Sequence, residues 1–135
     1  PEIANKFAVW TEAAGLASFL GNEIQILDAP DVDTYFDRFH ALLAETDLLW
    51  TKPSEMVFFG ALGLPLVLTR PMGVHERYNR RWAIENGVGL EQRDARHAGD
   101  WLREYLAEGT LAAAAWFGYL RLPKQGLYRI VERVR

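Results

Sequence analysis

The chain has 135 residues, 50% hydrophobic and 24% charged, which is the make-up of a folded domain of ordinary size and excludes a disordered or low-complexity chain. Fifteen basic against eighteen acidic side chains leave a net charge of −3, so no overall positive field exists to hold nucleic acid. The lack of cysteine excludes a disulfide framework and a thiolate metal site. The longest apolar stretches, such as Leu111–Leu120, fall short of the ~20 residues of a membrane span. No basic-then-apolar leader pattern opens the sequence, and a cytoplasmic protein is the expectation.

Charge is distributed unevenly. Residues 1–50 hold two basic and nine acidic side chains, whereas residues 51–135 hold thirteen basic and nine acidic. An anionic small ligand is therefore expected on the second half, where the arginines gather between Arg70 and Arg81 and again after Arg121.

Ile3, Phe7, Trp10, Ala14, Leu16 and Leu20 recur at helical spacing up to Gly21-Asn22, which predicts a first helix of about five turns. Ile24 to Leu27, a short β-branched run ended by Asp28-Ala29-Pro30, reads as a buried strand. Asp31 or Asp33 caps a second helix whose apolar face is Tyr35, Phe36, Phe39, Leu42 and Leu43. Asp47 to Thr51 is a near-continuous apolar run, the pattern of a parallel strand covered on both faces. A short helix over Met56–Leu62 follows, started at Pro53-Ser54 and closed by Gly63. Leu66–Leu68 is the next strand. His75–Glu85 forms a helix with Tyr78, Trp82 and Ile84 inward; Val88–Leu90 is a strand; and Asp100–Ala107, Leu111–Leu120 and Leu127–Val134 are closing helices.

Strands and helices alternate, so the expected fold class is α/β: one Rossmann-like domain over residues 1–135, with a parallel sheet of at least four strands, helices on both faces and closing C-terminal helices. Ligands in such sheets bind outside the carboxyl ends of the strands. Those ends are Asp28–Pro30, Thr51–Ser54, Thr69–His75 and Glu91–Arg93. A sheet of this class that begins on a helix, in a chain opening at Pro1, leads us to expect further strands ahead of it.

Thr51-Lys52-Pro53-Ser54-Glu55 runs from a strand end into a helix start, where free backbone N–H groups favour an anion. The alternative is that Ser54 only caps the helix and Glu55 only complements its dipole. The glycines of a Walker loop are missing, which excludes an ATPase of that kind. At the next turn, Gly73 precedes His75 and Glu76, and Asn79 lies one turn later, a set suited to recognising a polyhydroxyl ligand. His40, His75 and His97 lie on separate elements at no metal-ligand spacing, so neither a metal nor a cofactor is expected. Arg77, Arg80 and Arg81 reach a diphosphate or form a solvated face. The aromatic residues Trp101, Tyr105, Trp116 and Tyr119 recur at helical spacing and are expected in the core. No serine triad or acid dyad is visible.

The stretch Thr46–Lys52, the short helix, Gly63–Leu68, Pro71–Asn79 and Glu85–Gly89 together resemble the C-terminal, donor-binding half of GT-B glycosyltransferases. The likeness is to the branch of the monogalactosyldiacylglycerol synthases and the lipid-linked N-acetylglucosaminyltransferases, and it covers about Gly21 to Arg135. The resemblance implies a nucleoside-diphosphate sugar as ligand, with Thr51, Lys52, Ser54 and Glu55 near the diphosphate. It also implies that Gly73, His75, Glu76 and Asn79 lie at the sugar. Pro53-Ser54 replaces the family's paired glycines, and Phe58 stands where a carboxylate grips the ribose.

The resemblance further implies that the acceptor site and catalytic base belong to an N-terminal half, absent from these residues, and that peripheral membrane contact is made through that half. Three readings remain. The chain is the donor half of a glycosyltransferase, inactive alone; the donor half of a sugar-nucleotide 2-epimerase; or a non-catalytic Rossmann-like binding or assembly module.

Overall fold

The computed structural model describes residues 2–54 and 56–134, with the side chains of residues 2–4 and 127 left aside. These residues fall into two compact units, 1–45 and 46–135.

In the first unit, α1 (Glu2–Ala13) ends seven residues before the expected Leu20. The cause is Gly15, which takes a φ of 73° and closes the helix with two bonds, Gly15 N–H to the Glu12 carbonyl and Leu16 N–H to that of Thr11. Residues 17–19 make one turn of 3₁₀ helix. The run Ile24 to Leu27, expected to be a strand, forms none: its one ladder contact is an isolated bridge between Leu20 and Ile24. Helix α2 (Val32–Ala44) is capped by Asp31, whose carboxylate accepts from the Thr34 N–H at 2.8 Å.

The second unit holds the sheet. β1 (Leu49–Thr51), β2 (Leu66–Leu68) and β3 (Gly89–Glu91) pair in parallel in the order β1-β2-β3. The α/β class and the parallel pairing agree with the sequence reading, but the sheet has three described strands where at least four were expected. Between the strands run α3 (Met56–Ala61) and α4 (Val74–Glu85); α5 (Ala98–Ala107), α6 (Thr110–Arg121) and α7 (Gly126–Val134) follow.

Both faces of the central strand are covered. Leu66 and Leu68 pack with Met56, Ala61, Ala83, Val88 and Leu122 on one side, while Val67 packs with Trp101 and Tyr105 on the other. All three β2 side chains are buried, so each contributes ~1.5–3 kcal/mol of burial. The α3–α6 crossing is set by two glycines: a Cβ on Gly118 would lie 2.3 Å from the Gly60 carbonyl oxygen. Gly87 ends α4 at a φ of 74°, with the Phe117 ring so near that a Cβ would meet it at 2.8 Å.

Several side chains depart from the expected core. Tyr78, expected inward on α4, is exposed, and the inward position near the helix start is taken by Glu76. Trp101 and Tyr105 are buried as expected, whereas Trp116 and Tyr119 face outward.

Candidate functional site

Parallel pairing brings the exits of β1, β2 and β3 to one edge of the sheet. Thr51 stands opposite Leu68, and Leu68 opposite Glu91. The ladder continues past the strands: the Thr69 N–H donates to the Thr51 carbonyl at 2.9 Å, and the Gln92 N–H to that of Leu68 at 3.0 Å.

The first exit turn is tight. Ser54 N–H donates to the Lys52 carbonyl at 2.8 Å, which throws Lys52 and Ser54 outward while Pro53 between them is buried. Among the described residues none is hydrogen-bonded by the Ser54 hydroxyl, and Glu55, the other residue of the capping alternative, lies outside the described residues. The second exit turn opens α4. Gly73 is its N-cap in an extended conformation, with no side chain to offer the first-turn N–H groups. Glu76 supplies a carboxylate instead, accepting the Met72 N–H at 2.8 Å, a relative of the reciprocal capping arrangement in which an acid in the first turn reaches back over the helix start.

One bond ties these two turns together. The Asn79 side-chain amide donates to the Pro53 carbonyl at 3.1 Å, so Thr51, Lys52, Ser54, Gly73, His75, Glu76 and Asn79 belong to adjoining exit turns. Their accessibilities differ. Lys52, Ser54 and His75 are exposed, but Glu76 is only 6% exposed and one of its oxygens is committed to Met72. The His75 ring folds back toward the N-cap, where a Cβ on Gly73 would touch its Cε1 at 3.1 Å. Lys52 and Arg70 are both exposed at the same sheet edge. Phe58, which stands where the resemblance has a ribose-gripping carboxylate, is 56% exposed, with its edge against Phe59.

The third exit turn is filled by the protein itself, which sequence reasoning missed. Tyr105 donates its hydroxyl to the Glu91 carbonyl at 3.0 Å, and the Trp101 indole donates to that of Asp94 at 2.9 Å. Their four-residue spacing on α5 was the available signal, read only as core packing. Arg93 bonds Glu104 at 2.7 Å and lies over the Tyr105 ring. Asp94 is gripped by the Arg96 guanidinium through both carboxylate oxygens. That side-chain bond, aided by the Arg96 backbone N–H, holds the Asp94 carboxyl below the usual range. Trp50, on β1, reaches Gln92 beyond β3 with an indole bond of 2.7 Å.

A cleft of about 500 Å³ flanks α4, lined by Pro71, Arg77, Arg80, Arg81, Glu85 and Glu91 among others. Inside it Arg80 is paired with Glu91 at 2.5 Å, which explains one member of the arginine run as a strut between α4 and the end of β3. A larger apolar groove, about 760 Å³, lies at the opposite, amino-terminal edge of the strands between Leu48, Leu64, Leu102 and Leu111. Among the described residues no group of three His, Asp or Glu side chains is arranged to hold a metal ion.

Comparison with protein-family models, with curated proteins and with solved structures gives no match. The functional reading therefore rests on the residues themselves. No helix among the described residues is long and apolar enough to cross a membrane.

Proposed function

We propose that residues 46–135 bind a nucleoside-diphosphate sugar across the exits of β1 and β2, as the donor half of a glycosyltransferase-like protein. The observation that carries this reading is the Asn79–Pro53 bond, which holds two strand-to-helix turns side by side at the carboxyl ends of adjoining parallel strands. Ligands of α/β sheets bind at such an edge. The α4 N-terminus, with a glycine cap, offers uncommitted N–H groups to a phosphate; Lys52 and Arg70 add positive charge, and His75 offers a hydrogen-bonding ring to hydroxyls. In this reading the acceptor and its base belong to a second half-site, so the chain alone transfers no sugar.

One observation favours a second reading. Glu76, which the resemblance assigns to the sugar, is buried and accepts the Met72 N–H, as it would in a non-catalytic module that retains the fold.

A calorimetric titration with uridine- and guanosine-diphosphate sugars at matched salt distinguishes the two. The donor reading expects saturable binding that weakens roughly tenfold in Lys52→Ala, the loss of one charge-assisted contact. No saturable binding up to millimolar sugar nucleotide, in a protein whose fold is intact by circular dichroism, leaves the module reading.

A further inference from the structure

The arginines of α4 are left over from the exits of β1 and β2. Arg77 lies three residues before Arg80 and four before Arg81, so neighbouring positions on one side of the helix carry three guanidinium groups. Like charges at that spacing destabilise a helix unless an anion bridges them. All three arginines line the cleft between α4 and the end of β3, whose lining residues fall between Pro71 and Glu91, within the second unit.

The two carboxylates of the cleft, Glu85 and Glu91, leave these arginines incompletely paired. Glu91 meets Arg80 at one terminal nitrogen, 2.5 Å away. The Arg80 Nε–H is sealed from solvent and has no acceptor among the described residues. Arg77 and Arg81 form no ion pair with a described carboxylate; Arg81 lies instead over the Tyr78 ring, 5.4 Å from its centre.

An enclosed donor without an acceptor is rare in a folded protein, because it has lost water and gained nothing. A guanidinium is best met side-on, with Nε–H and a terminal N–H donating in parallel to two oxygens, and Glu91 engages only the second of these. An oxyanion in the cleft takes both once the guanidinium turns from Glu91, and keeps a third oxygen for Arg77 or Arg81. Glu91, whose side chain is 59% exposed, passes into water. Because two carboxylates already compete for the three cations, a dianion is held better than a single carboxylate. The cleft, about 500 Å³, has the size of a small-molecule site. We propose that it binds a phosphomonoester, whose phosphate displaces Glu91 from Arg80 and bridges to Arg77 and Arg81. This site stands on residues other than those of the sugar-nucleotide reading and does not depend on it.

The test is calorimetric titration of the full chain with ribose 5-phosphate, inorganic phosphate and acetate at matched ionic strength, with the Arg80 Nε–H resonance followed by NMR. Saturable binding is expected for both phosphates, tighter for ribose 5-phosphate, whose body fills more of the cleft, and none for acetate. The Arg80 Nε–H resonance is expected to move as the site fills. Arg77→Gln and Arg81→Gln are each expected to weaken binding about fivefold, and Arg80→Lys, which keeps the charge but loses Nε–H, about tenfold or more. Glu91→Gln removes the competing carboxylate and is expected to tighten binding about threefold. Arg77 and Arg81 are exposed, and an unchanged melting temperature shows that the fold survives their replacement. No saturable binding of ribose 5-phosphate, an equal response to acetate, or an affinity indifferent to the arginine changes overturns the proposal. So does an Arg80 Nε–H that phosphate leaves unmoved because an acceptor within the chain already holds it. Binding of inorganic phosphate with ribose 5-phosphate excluded overturns the assignment to a phosphomonoester.

Discussion

The Asn79 side-chain amide donates to the Pro53 carbonyl across 26 positions of sequence, joining the second turn of one helix to the turn that leads into another. Pro53 is buried, and a carbonyl deprived of its donor in such a place loses ~1–3 kcal/mol. Asn79→Ala is expected to lower unfolding free energy by about that amount in urea titration. Asn79→Asp is expected to be at least as harmful, because a carboxylate would face the carbonyl with no proton to give. A change under ~0.5 kcal/mol, the range of ordinary surface substitutions, would show that the bond does not hold the turns.

Glu76 tests whether a residue assigned to ligand serves its own helix. Its carboxylate satisfies the Met72 N–H from a nearly buried position. Glu76→Gln keeps an acceptor and is expected to cost ~1 kcal/mol, whereas Glu76→Ala leaves the N–H unmet and is expected to cost ~1–3 kcal/mol. Thermal denaturation of the two variants checks the order. If the two unfold at the wild-type temperature while sugar-nucleotide affinity falls, Glu76 belongs to the ligand.

Where pattern and physical constraint coincided, the fold was legible. Leu66–Leu68 lies between prolines at 65 and 71 and is a strand with those bounds, because a buried central strand needs apolar side chains on both faces. Ile24–Leu27 has the same local look and is not a strand, since strand formation depends on a paired neighbour that no local window reveals. In the site, the exits of β1 and β2 were found by counting strand ends, but the Asn79–Pro53 and Glu76–Met72 bonds were not. The first joins residues far apart in sequence, and the second depends on how Gly73 enters its helix. Tyr78 was placed inward on spacing alone, but it is exposed, and the inward position near the helix start belongs to Glu76.

Phe58 and Trp101 separate exposed from buried aromatic rings. Phe58 is 56% exposed and touches Phe59 with its edge, so Phe58→Ala is expected to cost no more than ~1 kcal/mol. Trp101 is buried and also bonds the Asp94 carbonyl; Trp101→Ala is expected to cost ~3–5 kcal/mol. Denaturant midpoints of the two variants give the comparison, and equal midpoints would contradict it.

Asp94 gives a pH dependence with a definite sign. Its pKa is lowered chiefly by the Arg96 side-chain bond and then by the Arg96 backbone N–H. Because the folded value lies below the unfolded one, ~3.9 for a free aspartate, the stabilisation is present above the unfolded pKa and disappears as pH falls through the folded pKa. The contribution is therefore constant near neutrality and fades only in acid. In Arg96→Gln the backbone donor remains, so the Asp94 titration, followed by the carboxyl carbon shift in NMR, is expected to move upward part of the way to the ordinary value. An unmoved titration would show that the Arg96 fork does not set it.

Gly118 and Gly60 set the distance between α6 and α3. A Cβ at Gly118 would lie 2.3 Å from the Gly60 carbonyl oxygen and 3.1 Å from its carbon, and backbone cannot swing aside as a side-chain tip does. Gly118→Ala therefore forces the helices apart. That shift loosens Leu122 and Val88, which pack in the same cluster beneath the crossing. Overpacking of this kind costs ~1–3 kcal/mol, and more where the clash is with main chain. Gly126→Ala is the control: the Cβ there meets nothing within 4 Å, so stability is expected to stay within ~0.5 kcal/mol of wild type. Thermal unfolding of both variants decides the matter, and a Gly118→Ala protein as stable as the Gly126→Ala one would mean that the helices cross farther apart than the glycine contact requires.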